Sequence, residues 1–124
     1  MKDDAVFDRE KKIMTTIDPV TYVVADAHTA RLLRHEGPAL HTIRHIAATE
    51  RFAITIAETL NHGVTDGTIS RFVLAAPGHL LHAIRAELTA AAQDRLILAE
   101  PKELAHLPDH ELIDHFDIPA TGWP

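Results

Sequence analysis

The sequence predicts a single α/β domain: a five-stranded mixed sheet with helices on both faces. Two patterns predict this fold class, an apolar run at Thr21 that turns back on itself and a strict alternation of helix and strand after Thr49. The length of 124 residues allows an ordinary hydrophobic core without metal or disulfide. The sequence contains no cysteine, which is typical of a reducing compartment, so we expect a cytoplasmic protein.

The first three strands are predicted to be antiparallel. Thr21–Ala25 is a continuous apolar and β-branched run, typical of a central strand that is buried on both faces. A turn at Asp26 leads to the second strand, Arg31–Glu36, which alternates apolar and polar residues. Gly37 and the proline after it form a second turn. The third strand, Leu40–Ile46, mixes histidine and arginine as an exposed sheet edge does.

The rest of the chain alternates helix and strand. In the predicted helices apolar residues recur at three- and four-residue spacing, as in Ile56, Ala57 and Leu60, whereas the strands are short and continuously apolar. The predicted elements are a helix capped by Thr49 and closed by Gly63, a strand over Arg71–Ala76, a helix from Gly78 to Ala91, a strand over Arg95–Glu100 and a helix with Pro108 at its first position.

This order of elements predicts the topology of the sheet. Strand–helix–strand connections are right-handed and pair their strands in parallel. Three antiparallel strands followed by two such crossovers give the strand order 3-2-1-4-5, a ribonuclease-H-like topology. We expect residues 1–16 to be a flexible extension, 17–117 the domain and 118–124 a tail. No segment is apolar enough to cross a membrane.

A net charge of −6 limits the kinds of partner that the protein can bind. Basic and acidic residues balance in the first twelve positions, so the excess of acid lies in the rest of the chain. Such a chain repels a phosphate backbone unless its arginines are concentrated on one face. Arg31, Arg34 and Arg44 of the second and third strands are candidates for a basic patch that binds RNA or a partner. Protection of a sheet edge explains the same residues.

A second candidate site lies at the carboxyl ends of the first and fourth strands. In open α/β sheets, ligands bind where the chain leaves two parallel neighbours in opposite directions. Asp26 and His28 follow the first strand. Pro77, Gly78 and His79 follow the fourth, where Gly78 opens a helix whose free N–H groups favour an anion. We expect a small anionic ligand in this crevice, although Asp26 also suits simple capping of the hairpin turn.

The sequence contains ten histidines but no metal-binding pattern. None of the closely spaced histidine pairs is joined by a cysteine or by a third ligand at fixed spacing, so no metal and no cofactor is predicted. We expect solvated histidines, with a pH response as the alternative. A metal-dependent nuclease needs converging carboxylates; Asp26 and Glu58 offer two, but the fourth strand ends without one. No catalytic residue is assigned.

Three segments, VVADAHTARLL at 23–33, RFVLAAPGHLLHAIRAEL at 71–88 and KELAHLP at 102–108, resemble the bacterial host attachment protein family. This family comprises bacterial relatives of the middle domain of release factors and Pelota, and the resemblance extends over residues 17–116. It implies a release-factor-like domain associated with translation or RNA. Those release factors carry a Gly-Gly-Gln loop. This sequence has no Gly-Gly and its only glutamine is Gln93, so we expect no peptide release.

The predicted function is therefore a non-catalytic binding module whose partner is the ribosome, RNA or a small anionic ligand. Two alternatives stay open. The first is a small hydrolase or metal-dependent nuclease that uses the crevice between the first and fourth strands. The second is an oligomeric interaction module that docks through its edge strand, with a homo-oligomer as the simplest case.

Overall fold

The predicted hairpin and crossovers are present in the computed structural model, which describes residues 20–116. The expected extension over residues 1–16 and the tail over 118–124 lie outside the described part of the chain. The elements are β1 (Val20–Ala25), β2 (Thr29–Glu36), β3 (Ala39–Ala47), α1 (Phe52–Asp66), β4 (Arg71–Ala75), α2 (Gly78–Ala86), α3 (Ala90–Gln93), β5 (Leu96–Glu100) and α4 (Asp109–Leu112), which continues as a 3₁₀ turn over Ile113–His115.

Strand β1 lies at the centre of the sheet. It pairs antiparallel with β2, whose other edge pairs antiparallel with β3. On its opposite side β1 pairs parallel with β4, and β4 pairs parallel with β5. The observed order, β3-β2-β1-β4-β5, confirms the prediction of a five-stranded mixed sheet. The likeness to ribonuclease-H-like domains stays a prediction.

Alternate residues of the same strand contribute to two separate apolar layers. Val23 and Ala25 pack with α1, α2 and α3, whereas Tyr22 and Val24 pack with the C-terminal segment 104–116. This division follows from the two-residue period of a strand. Helices α1 and α2 share one face because both crossovers move in the same direction across the sheet and are right-handed. Helix α4 covers the other face, so helices lie on both faces as predicted.

The first helix is longer than predicted, and its boundaries differ at both ends. Thr49 does not cap it; the helix follows Arg51, and the Thr49 hydroxyl only accepts a 3.3 Å hydrogen bond from the Arg51 N–H in the preceding loop. Gly63 does not end it either. An added Cβ at Gly63 would clash with Ile69, so this glycine serves close packing inside the helix. Gly67, with φ of +84°, ends the helix instead.

The predicted second helix is divided into two helices. Helix α2 ends at Ala86, and Thr89 begins α3 by accepting a 3.2 Å hydrogen bond from the N–H of Ala92. Asn61 of α1 holds the intervening loop: its amide donates to the Glu87 carbonyl at 3.1 Å and accepts from the Thr89 N–H at 2.9 Å. A polar contact from a distant helix, which local periodicity does not reveal, therefore stabilises the break.

Candidate functional site

The crevice predicted at the ends of β1 and β4 has the expected backbone arrangement. The two strands are parallel neighbours, β1 leads into the hairpin and β4 leads into α2 through Pro77. The side chain of Asp26 has a local role: its Oδ1 accepts hydrogen bonds from the N–H groups of His28 at 2.8 Å and Thr29 at 2.9 Å. This is the capping of the hairpin turn given above as the simpler role.

Most of the other crevice residues are open to solvent, and Pro77 is half-buried. His28, Gly78 and His79 are exposed, and Gly78 begins α2 directly after Pro77. Among the described residues, no hydrogen bond joins the Asp26 turn to the start of α2. A small anionic ligand in this crevice stays a prediction.

The three candidate arginines of the hairpin do not share one face. Side chains alternate along a strand, so Arg31 and Arg34, three positions apart on β2, point to opposite sides. Arg31 is buried against the C-terminal segment. Arg44 of β3 lies opposite Leu32 of β2, and it lines the same groove as Arg34. The structure therefore brings Arg34 and Arg44 together and removes Arg31 from the predicted patch.

Arg31 belongs to a polar cluster that fastens α4 to the hairpin. Its Nη1 lies 2.5 Å from Oδ1 of Asp109, and its Nη2 donates to the carbonyls of Ala105 and Leu107. The same carboxylate accepts hydrogen bonds from Thr42, at 2.6 Å from the hydroxyl and 2.8 Å from the backbone N–H. We call Arg31, Thr42 and Asp109 the Asp109 cluster. It also occupies a backbone N–H of the edge strand β3.

Electrostatics in the Asp109 cluster favour the charged carboxylate. Burial raises the pKa of Asp109, but the hydrogen bonds from Thr42 and the positive charge of Arg31 outweigh that effect, so the pKa lies below its ordinary value. The spacing from Arg31 to Asp109 is 78 residues, which is why the sequence suggested neither the partner nor the role.

Arg34 and Arg44 line a groove of about 250 Å³ between the hairpin and the C-terminal half of α1. The Nε of Arg34 donates to the Thr21 hydroxyl at 3.3 Å, and its Nη2 donates to the Thr68 carbonyl, so this side chain is held in place. Arg44 is exposed and, within the described residues, forms neither a hydrogen bond nor an ion pair. We call this the arginine groove; its wall includes Arg34, Ile43, Arg44, His62, Asp66 and Thr68.

The far wall of the arginine groove carries one acidic group. The hydroxyl and backbone N–H of Thr68 both donate to Oδ1 of Asp66 and lower the pKa of this carboxyl. Nε2 of His62 lies 3.5 Å from the other carboxylate oxygen. Two arginines therefore face a single carboxylate that already has partners, which leaves the hairpin side of the groove positive.

Sequence reasoning missed the contribution of Ile43. The pairing of β2 with β3 shifts by one residue so that Leu32 lies opposite Arg44 and Leu33 lies opposite Thr42, which leaves Ile43 as the extra residue of a β-bulge. The side chain of Ile43 is 52% exposed. Among the described residues, no other large apolar side chain is classed as exposed. Regular alternation in the sequence gave no sign of the bulge.

The described residues include no group of three or more histidine, cysteine, aspartate or glutamate side chains arranged to hold a metal ion. In the same part of the chain, no helix combines the length and apolarity needed to span a bilayer.

Comparison with known proteins gave one family match and several structural relatives. A family model described as "Protein required for attachment to host cells" matches residues 39–116, more than half of the chain. No curated protein matches the sequence.

Among solved structures, Pelota from Archaeoglobus fulgidus has a TM-score of 0.57 at 11% identity, covering 83% of this chain and 32% of that chain. An archaeal translation termination factor, aRF1, has a TM-score of 0.49 at 11% identity, covering 65% and 29% respectively. Dom34 from S. cerevisiae, described as a translation termination-like factor involved in RNA quality control pathways, has a TM-score of 0.46 at 13% identity, covering 67% and 29%. This chain thus spans about a third of the length of these proteins. At such identity, the likeness to Pelota shows a shared fold.

Proposed function

Because this chain belongs to the family of proteins described as required for attachment to host cells, and shares the fold of a Pelota domain, we propose that it is a non-catalytic RNA-binding module associated with translation. The observation that carries this proposal is the arginine groove, in which a fixed Arg34 and an unengaged Arg44 lie on the same face of the hairpin. The guanidinium of arginine matches the geometry of a phosphate group.

The charge distribution of the described residues favours this groove over a general attraction to RNA. The Arg31 side chain already donates its hydrogen bonds within the Asp109 cluster. The hairpin therefore contributes two arginines to RNA binding rather than three. The chain carries a net charge of −6, and non-specific electrostatic binding to a phosphate backbone is therefore weak. Binding then depends on a local contact, which a single substitution can remove.

The proposal includes no peptide release, which in release factors depends on a Gly-Gly-Gln loop whose natural site is the connection between the third strand and the first helix. Here the connection between β3 and α1 is residues 48–51, Ala-Thr-Glu-Arg. It contains neither glycine nor glutamine, and it is too short to extend far from the domain. The likeness to a Pelota domain supports an association with translation.

The test is co-sedimentation of the full-length chain with purified ribosomes at low and moderate salt. We expect wild-type protein to pellet with ribosomes, Arg44→Ala to remain largely in the supernatant, and the dependence of binding on salt to weaken by about one phosphate contact in that variant. Arg85→Ala, which removes an exposed arginine of α2, is the matched control and should bind as wild type does. Wild-type protein that never pellets, or equal binding by Arg44→Ala, would contradict the proposal.

A further inference from the structure

We propose that the arginine groove binds one unpaired nucleotide of a single-stranded RNA, with the base against Ile43 and the phosphate held by Arg34 and Arg44. This inference rests on the proposed function, since it names the form of RNA that the same groove takes. It is carried by the β-bulge, which places an apolar side chain beside the unengaged arginine.

The bulge gives Ile43 a direction that a regular strand would not. An extra residue in one strand re-aims its side chain and increases the local twist. Ile43 lacks a partner on β2, is 52% exposed and contributes to the wall of the groove next to Arg44. Contact between an isoleucine side chain and a phosphate buries no apolar surface and adds no affinity. Contact with the face of a base removes apolar surface from water on both groups and therefore favours binding.

The polar groups of the groove are suited to one phosphate rather than to a continuous backbone. The Arg34 guanidinium is oriented by Thr21 and Thr68 and retains further N–H donors, because arginine has five and two are engaged. On the opposite wall, the Asp66 carboxylate repels a second phosphate, while its oxygens can accept from the N–H groups of a base edge. We therefore expect the phosphate beside Arg34 and Arg44, the face of the base on Ile43 and the edge of the base toward Asp66.

The size and chemistry of the groove both favour a single strand. Its volume of about 250 Å³ has room for a small group such as one nucleoside, whereas a double helix can only lie across its mouth. In duplex RNA the base faces are stacked and hidden, so a protein meets mainly phosphates and 2′-hydroxyls. Ile43 can contribute only when a base is unstacked, which happens in loops, bulges and single strands.

The test is fluorescence anisotropy with a labelled 12-nucleotide single-stranded RNA and with the same strand annealed to its complement. We expect full-length wild-type protein to bind the single strand about tenfold more tightly than the duplex. Ile43→Ser should weaken single-strand binding about fivefold, since an apolar contact with a base is lost, and leave duplex binding unchanged. Ile43→Val, which keeps an apolar side chain in the bulge, should restore most of the single-strand affinity. Far-ultraviolet circular dichroism verifies that each variant is folded.

The outcomes separate the two proposals. Equal affinity for single strand and duplex, or Ile43→Ser binding the single strand as well as wild type does, would overturn the single-nucleotide inference and leave the proposed function standing. Ribosome binding that excess single-stranded RNA does not compete away would overturn the inference, and if the contact proves to be with a ribosomal protein it would overturn the RNA-binding part of the proposed function as well. Failure of any RNA and of ribosomes to bind would overturn both.

Discussion

Replacing Asp109 with alanine is expected to destabilise the domain. The loss should exceed that of the same change at Glu111, the other carboxylate of α4. The change removes a charge-assisted hydrogen bond to Arg31 and two hydrogen bonds to Thr42. It leaves the Arg31 side chain, which is 9% exposed, without its counter-ion. Arg31 then retains only the carbonyls of Ala105 and Leu107.

The expected magnitude follows from these contacts. Breaking a fully buried ion pair by removing one partner costs about 3–5 kcal/mol, and an ordinary hydrogen bond contributes about 0.5–1.5 kcal/mol. The Asp109 side chain is 30% exposed, so water can replace part of what is lost. The Thr42 N–H lies on an edge strand and also regains solvent. We therefore expect the free energy of unfolding to fall by about 2–4 kcal/mol in Asp109→Ala.

The assay is urea denaturation of the full-length chain, with the midpoint compared at an unchanged m-value. Asp114→Ala is the matched control, because it removes an exposed carboxylate from the 3₁₀ turn next to α4. We expect a change within about 0.5 kcal/mol for the control. A loss in Asp109→Ala no larger than that of the control would refute the account of the cluster.

Three further predictions concern stability. Gly63→Ala should reduce the free energy of unfolding by about 1–2 kcal/mol, because the clash of its Cβ with Ile69 outweighs the gain in helix propensity. Asn61→Ala should reduce it by about 1 kcal/mol, because the loop before α3 loses its three exposed hydrogen bonds to the Asn61 side chain. Below the ordinary pKa of aspartate, about 3.9, wild type should lose stability more steeply with falling pH than Asp109→Asn, because a carboxyl whose folded pKa is lowered stabilises the fold only while it is ionised.

Each of these predictions has a direct check. Gly78→Ala is the control for the glycine, since nothing lies within 4 Å of its added Cβ, and it should leave the urea midpoint nearly unchanged. A Gly63→Ala protein as stable as wild type would show that Ile69 moves aside freely. For Asn61, hydrogen exchange of the Thr89 amide should accelerate; unchanged exchange would contradict its anchoring role. Acid titrations that coincide for wild type and Asp109→Asn would show that the carboxyl pKa is not lowered in the folded state.

Local patterns were sufficient to predict the sheet. β1 is a short, continuously apolar run, the hairpin turns carry Asp26 and Gly37, and the crossovers alternate regularly. Handedness and the no-crossing rules then leave a single reasonable strand order, which the structure has. The helix boundaries were predicted less well. Gly63 and Gly67 are both reasonable ends for α1 in the sequence; the structure distinguishes them by the close contact of Gly63 with Ile69 and by the positive φ of Gly67.

Some features of the candidate site could be predicted from the sequence, and others depend on contacts that only the folded chain makes. That Arg31 and Arg34 face opposite sides follows from their odd spacing and was available in the sequence. The partner of Arg31 was not, because Asp109 lies 78 residues away and only the packed structure brings the two together. The bulge at Ile43 is likewise a property of strand pairing, and no turn residue or glycine marks it in β3.

The most direct test of the arginine groove is a two-dimensional amide NMR titration of the isotope-labelled chain with the 12-nucleotide single-stranded RNA. We predict that chemical-shift changes concentrate on the amides of Thr21, Ile43, Arg44, His62 and Thr68, which line the groove. Changes concentrated instead on Asp26, His28, Gly78 and His79 would place binding at the crevice of β1 and β4 and contradict the account.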